Sequence, residues 1–170
     1  VTAGATAALY ANRLGLKAIL VDKSIWPRDK ICGDALSGKA VDILKNLDIL
    51  NDIKLLDGST INRIMFGSPK NKICEIDLSK SLNDRHIREG YVIPRKTFDY
   101  FLFNKAKEVV DVLEGFNVQD ILVDNHSVVG VKGLNQKGEM QDILSSVVFG
   151  CDGFNSIVAK KLNLYKMDMK

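Results

Sequence analysis

With 170 residues, 46% of them hydrophobic and 26% charged, the chain has an ordinary globular composition and room for one domain with a real core. Its net charge of +3 is small and mixed, no Lys/Arg cluster is interleaved with aromatics, and Lys160-Lys161 reads as a solvated helix face, which argues against nucleic acid as a partner. Cys32, Cys74 and Cys151 lie far apart without CxxC spacing, against a metal site or disulfide framework, and no membrane-length apolar run, signal peptide, repeat or low-complexity segment is visible.

Residues 4–14 predict a helix of small side chains, with Gly15 as a left-handed cap, and Ala18 to Val21 a short buried strand. A loop over 24–38 holds Pro27, Gly33 and Gly38, and Ser37 is placed to cap the next helix. In that helix Ala40, Ile43, Leu44 and Leu47 form one apolar face. From Ile61 the period changes: 61–66 and 73–78 read as strands around a turn at 67–71, with Cys74, Ile76 and Leu78 on one face. Residues 83–90 read as loop and 91–93 as a brief strand. A second helix spans 95–110 with Phe98, Leu102, Ala106 and Val109 as its buried stripe. Strands at 116–123, 128–134 and 146–150 follow, with turn chemistry at Asp124-Asn125-His126 and at 135–138. The last helix begins near Asn155. This order suggests a nucleotide-binding domain of 1–60 and 94–170, with 61–93 starting an inserted domain.

Three segments carry chemistry. Val1 to Ala8 reads as the back half of a glycine-rich turn entering a helix, and Asp22 closes the next strand 18 residues after Gly4, where the dinucleotide fingerprint places a ribose-binding carboxylate. The alternative for Asp22 is a cap after a strand. An acid there, in place of an arginine, favours a ribose without a 2′-phosphate. The second segment, Pro27 to Gly38, sets Cys32 among small residues. Close approach to a flat ligand and a structural cysteine in a surface loop both fit that composition. In the third, Gly150 to Ser156, Asp152 either binds a ligand hydroxyl or braces the turn, and Asn155 or Ser156 caps the following helix. His86 and His126 have no partner at metal spacing and read as surface residues. Met65, Trp26 and the phenylalanines at 98, 101 and 103 read as packing groups.

These segments, with Pro94-Arg95, Phe98-Asp99 and Leu102, resemble the N-terminal part of the geranylgeranyl reductase family, within the para-hydroxybenzoate hydroxylase-like flavoproteins. The cysteine loop favours the reductases over the hydroxylases. The resemblance implies an α/β fold: a Rossmann-like FAD-binding domain with a β-meander, and at 61–93 the first part of a mixed-sheet substrate domain. It implies that Ala3 and Gly4 lie against the FAD pyrophosphate and that Asp22 bonds the adenosine ribose. Cys32, Gly33 and Ala35 then line the flavin side, and Arg95 reaches the phosphate or ribityl region. Val118 contacts adenine through its backbone, and Asp152 and Gly153 belong to a motif tied to FAD and nicotinamide cofactors. Three departures stand out. Val1 occupies the place of the family's second glycine, Thr2 that of a common proline, and Ala159 that of an arginine in many hydroxylases. The strand before the turn and a later Gly-Asp segment are absent from the sequence, which predicts a fragment inactive by itself.

The activity implied is FAD-dependent reduction of carbon–carbon double bonds in an isoprenoid or lipid-like substrate, with NAD(P)H or another reductant as donor. An FAD monooxygenase and a non-catalytic nucleotide-binding remnant are the rival readings, and no catalytic acid or base is identifiable. The implied setting is cytoplasmic, with peripheral membrane association through a lipid substrate left open, as is the oligomeric state.

Overall fold

The computed structural model describes residues 2–36, 38–80 and 89–164. Its elements run α1 (Thr2–Arg13), β1 (Ile19–Asp22), β2 (Ala35–Leu36), α2 (Lys39–Asn46), α3 (Leu50–Ile53), β3 (Ser59–Ile61), β4 (Arg63–Gly67), β5 (Ile73–Asp77), a 3₁₀ turn (Leu78–Lys80), β6 (Gly90–Val92), α4 (Arg95–Lys107), β7 (Asp111–Glu114), β8 (Asn117–Asp124), β9 (Ser127–Leu134), β10 (Met140–Leu144) and α5 (Ile157–Lys161). They fall into two compact units, one of residues 1–28 and 99–170, the other of residues 29–98.

In the first unit, small side chains let α1 press onto the strand that follows. Ala5 and Ala8 are buried, and a Cβ on Gly4 would come within 3.2 Å of Leu20 Cδ1. The helix ends at Gly15 (φ +71°). The Gly15 amide donates to the Asn12 carbonyl and the Leu16 amide to the Ala11 carbonyl, both at 2.9 Å, a Schellman arrangement. β1 pairs in parallel with β7, from Ile19 opposite Asp111 to Asp22 opposite Glu114. Past β1, Trp26 stacks on Phe103 of α4 with ring centroids 5.2 Å apart, and the Arg28 guanidinium lies 4.7 Å over the indole. The Trp26 amide donates to Glu114 Oε2 at 2.9 Å, so the loop leaving β1 is tied to the end of β7 as well.

β8, β9 and β10 form an antiparallel meander with β9 central. Asn125 (φ +45°) and His126 (φ +65°) make the two-residue turn between the paired Asp124 and Ser127. Asn135 Oδ1 holds the next turn by accepting from the amides of Lys137 and Glu139. Lys161 of α5 reaches Asp120 of β8 at 2.9 Å.

In the second unit, β6 lies between β2 and β3 in an antiparallel sheet, and β4 pairs with β5 as a separate hairpin. Ile64, Phe66, Cys74 and Ile76 share one face of that hairpin, because Ile64 faces Ile76 and Phe66 faces Cys74. Val41, Leu44, Leu47, Leu50 and Ile53 of the α2–α3 region are buried, as are Tyr91 and Ile93.

The architecture is the expected α/β combination of a parallel pair and an antiparallel meander, but several expected elements differ. Helix α2 buries Val41, Leu44 and Leu47, whereas Ile43 is 37% exposed, so the apolar face is rotated from the expected one. Helix α4 stops at Lys107, leaving Val109 exposed, and Phe103 is buried in its place. The expected strand 61–66 divides at Asn62 into β3 and β4. β2, α3, β7 and β10 fall where the sequence predicts no element. Residues 146–150 are not a strand, because none of the described strands pairs with them. Val1, Ser37, residues 83–88 with His86, and residues 165–170 lie outside the described residues.

Since Phe103 is 1% exposed and carries the Trp26 stack, Phe103→Ala is expected to lower unfolding free energy by about 3–5 kcal/mol in chemical denaturation. Val109→Ala, at an exposed position, is expected to change it by less than about 0.5 kcal/mol.

Candidate functional site

In the first unit, the opening turn of α1 combines exposed Ala3 with half-exposed Gly4 and carries no acidic residue. The first-turn amides of a helix have no partner within the helix, and with the helix dipole they favour an anion. Asp22 ends β1, and its Oδ1 accepts from the Ser24 amide at 2.8 Å. Its Oδ2 has no partner among the described residues, so the carboxylate braces its own loop and keeps one oxygen for a ligand hydroxyl. Val118 lies on β8 opposite Gly133. A bulge between Val118 and Asp120 leaves Gln119 outside the ladder and breaks the regular pairing there.

Asp152 and Gly153 lead into α5. Gly153 takes φ +80°, a conformation that disfavours a side chain. Asp152 Oδ1 accepts from the Ser156 hydroxyl at 2.5 Å, and Oδ2 from the Ile157 amide at 2.6 Å. Ser156, itself buried, is the N-cap: its Oγ accepts from the Ala159 amide at 3.0 Å. Burial pushes the Asp152 carboxyl up, but the Ser156 hydroxyl and the backbone amides outweigh it and hold the group below its ordinary value. Both carboxylate oxygens thus serve α5, which is the turn-bracing role. The neighbouring Cys151 thiol is pushed up, chiefly by burial.

In the second unit, the cysteine loop and the start of α4 are joined by Asp34. The Asp34 carbonyl accepts from the Ile93 amide at 3.0 Å, and its Oδ1 accepts from the Arg95 amide at 3.3 Å. Ala35 pairs with Val92 one residue on. These bonds bring Cys32, Gly33, Ala35 and Arg95 together. Cys32 is exposed, and its thiol is held below the usual value first by the Asp34 backbone and next by the Arg95 side chain. A Cβ on Gly33 would meet nothing within 4 Å, so this loop offers an open backbone surface. Sequence reasoning missed Asp34 as the organiser. Its φ of +57°, unusual outside glycine, is visible only in three dimensions. Among the described residues no group of three His, Cys, Asp or Glu could hold a metal, and no helix is long and apolar enough to cross a membrane.

Two outcomes follow from this geometry. In a Cys74→Ser background, iodoacetamide is expected to alkylate Cys32 with a pH midpoint below the ~8.5 of a free thiol, and Arg95→Gln is expected to raise that midpoint. A midpoint unmoved by Arg95→Gln refutes the pairing. Asp152→Ala is expected to cost about 1 kcal/mol of stability at neutral pH. Because the folded-state value of Asp152 is depressed, its contribution is present above the ordinary carboxylate range and lost as pH falls through the folded value. The gap between variant and wild type should therefore close on acidification below about pH 4.

A sequence profile of the FAD binding domain matches residues 2–169. The digeranylgeranylglycerophospholipid reductase of Thermoplasma acidophilum is 28% identical over 155 residues, covering 90% of this chain and 37% of the reductase. The chain thus spans less than half the length of that relative, and the similarity bears out the expected likeness to the geranylgeranyl reductases. Among solved structures, a flavoprotein/dehydrogenase from Cytophaga hutchinsonii superposes with a TM-score of 0.83 at 21% identity, over 95% of this chain and 39% of its own. A flavin-dependent halogenase superposes with a TM-score of 0.84 at 20% identity, over 95% of this chain and 29% of its own. At these identities the superpositions establish a shared fold. The profile covers nearly every residue, so the chain belongs to the FAD binding domain family, with FAD as its cofactor.

Proposed function

We propose that the protein reduces carbon–carbon double bonds of an isoprenoid or other lipid-like substrate. The observation that supports this reading best is the similarity over nine-tenths of the chain to a digeranylgeranylglycerophospholipid reductase. The cysteine loop, by which the resemblance separates reductases from hydroxylases, points the same way.

The residues present fit FAD. An acid-free first turn with a glycine accepts a pyrophosphate, and Asp22 Oδ2 is open to a ribose hydroxyl. On this reading Ala3 and Gly4 orient the pyrophosphate by their backbone, Asp22 holds the ribose, and the Val118 backbone meets adenine. Asp152 and Gly153 shape the turn ahead of α5. Cys32, Gly33 and Ala35 face the flavin, and Arg95 supplies a cationic fork for phosphate or ribityl oxygens. FAD held there would supply two-electron redox chemistry, as a source of hydride for an alkene carbon. The protein's own part is to bind, orient and exclude water, with the proton supplied by solvent or by an acid that none of the motifs identifies. NAD(P)H is the proposed electron source, an apolar small molecule the partner, and residues 61–93 the start of the substrate domain.

The test is anaerobic incubation of the intact protein with FAD, a chemical reductant and a polyprenyl lipid, read by mass spectrometry. A gain of two hydrogens per double bond supports the reading. A product that forms only with oxygen and carries an added oxygen atom overturns it in favour of a monooxygenase. Asp22→Ala is expected to weaken FAD binding by about 1–3 kcal/mol in a fluorescence titration, through loss of hydrogen bonds to a charged group. Unchanged affinity removes Asp22 from the site.

A further inference from the structure

We infer that Asp99 is a positioning residue for the anion-binding turn of α1, acting through Thr2. The inference rests on the FAD reading above and adds to it a role for Asp99, a residue that the family resemblance includes without giving it one. Asp99 is 0% exposed, the only fully buried acidic side chain among the described residues. Carboxyl groups are almost never buried completely without a partner, because desolvation is costly unless hydrogen bonds offset it. The same helix buries Leu102 and Phe103 nearly completely, so an apolar residue at 99 would suit its packing without that cost. A bond is what the carboxyl supplies: Thr2 Oγ1 donates to Asp99 Oδ1 at 3.1 Å, across 97 residues of sequence.

The place of the bond gives it a functional meaning. Thr2 is the first residue of α1, and Ala3, Gly4 and Ala5 beside it carry no side-chain donor. The Thr2 hydroxyl therefore ties this turn to α4 from within. The opposite side of the turn, at Ala3, is exposed. Anion capture by helix amides depends on their direction, since a hydrogen bond weakens steeply as its angle closes. The packing of Gly4 and Ala5 sets the turn against β1 but gives it no side-chain hydrogen bond at the end where the first amides emerge. A buried acceptor on a long helix supplies the missing constraint and leaves the exposed side for the ligand.

The test uses the intact protein and three probes: FAD, ADP, which keeps the adenosine and the pyrophosphate, and adenosine, which has no phosphate. Affinities are measured by fluorescence for FAD and by calorimetry for the others, on wild type, Thr2→Val, Thr2→Ser, Asp99→Asn and the Thr2→Val/Asp99→Asn pair. Thr2→Val is expected to weaken FAD and ADP about fivefold to tenfold, the worth of one buried hydrogen bond, with adenosine unchanged. Thr2→Ser should restore binding, and the pair should be no weaker than Thr2→Val alone. Thr2→Val leaves Asp99 in place, so the test survives poor folding of Asp99→Asn. Equal weakening of adenosine and ADP marks a merely structural contact and overturns the inference. Unchanged FAD and ADP binding in Thr2→Val overturns it while the FAD reading stands. Wild type that binds neither FAD nor ADP overturns both.

Discussion

The parallel pairing of β1 with β7 is the constraint on which the first unit depends. A parallel pair cannot be closed by a tight turn, so its partners are distant in sequence and need a helix between them. Here α4 precedes β7, and the pairing sets Asp22 level with Glu114 at the ends of the two strands. The loop leaving β1, the start of β8 and the turn after β9 are fastened to that end. Glu114 takes the Trp26 amide, its carbonyl accepts from Gln136, and the Phe116 amide donates to the Asp22 carbonyl. The Trp26–Phe103 stack then locks the loop onto α4. A carboxylate at the carboxyl end of a parallel strand, after a helix that opens with a glycine turn, is the arrangement by which α/β sheets present nucleotide-binding groups.

The second unit depends on a different device. Its chemically suggestive residues lie on a loop and at a helix start far apart in sequence, and Asp34 holds both through one carbonyl and one carboxylate oxygen. The same loop geometry places the Cys32 thiol by the Asp34 backbone and the Arg95 side chain. Polar bonds do this work because the loop is mostly exposed and has little apolar surface to bury. In the first unit the equivalent positioning comes from packing: the close fit of Gly4 and Ala5 against the sheet and the buried face of α4.

Legibility in the sequence followed the strength of local signals. Gly15 as a left-handed cap and the Asn125-His126 turn were readable because backbone conformation there is governed by one or two residues. The α2 face is not legible because Val41 and Ile43 are both apolar and β-branched, and only tertiary packing decides that Val41 is covered and Ile43 is not. β7 was overlooked because Asp111 and Glu114 flank a two-residue apolar core, too short for a period. Residues 146–150 show the opposite error: an apolar run with β-branched residues that none of the described strands pairs with.

For the site, the residue types were legible and their engagement was not. The sequence by itself determined the glycine turn, the acid at the end of β1, the cysteine loop and the cap before α5, because each is a local pattern of side chains with a known backbone preference. Only the tertiary structure decided which of those groups are already committed. It gave both oxygens of Asp152 to α5 and one oxygen of Asp22 to its own loop. It made Asp34 the link between Cys32 and Arg95, and it buried Asp99 against Thr2. The Asp34–Arg95 and Asp99–Thr2 bonds join residues distant in sequence, which no local propensity encodes, whereas the bonds of Asp22 and Asp152 are local and stayed undecided because a turn brace and a ligand-binding group use the same carboxylate.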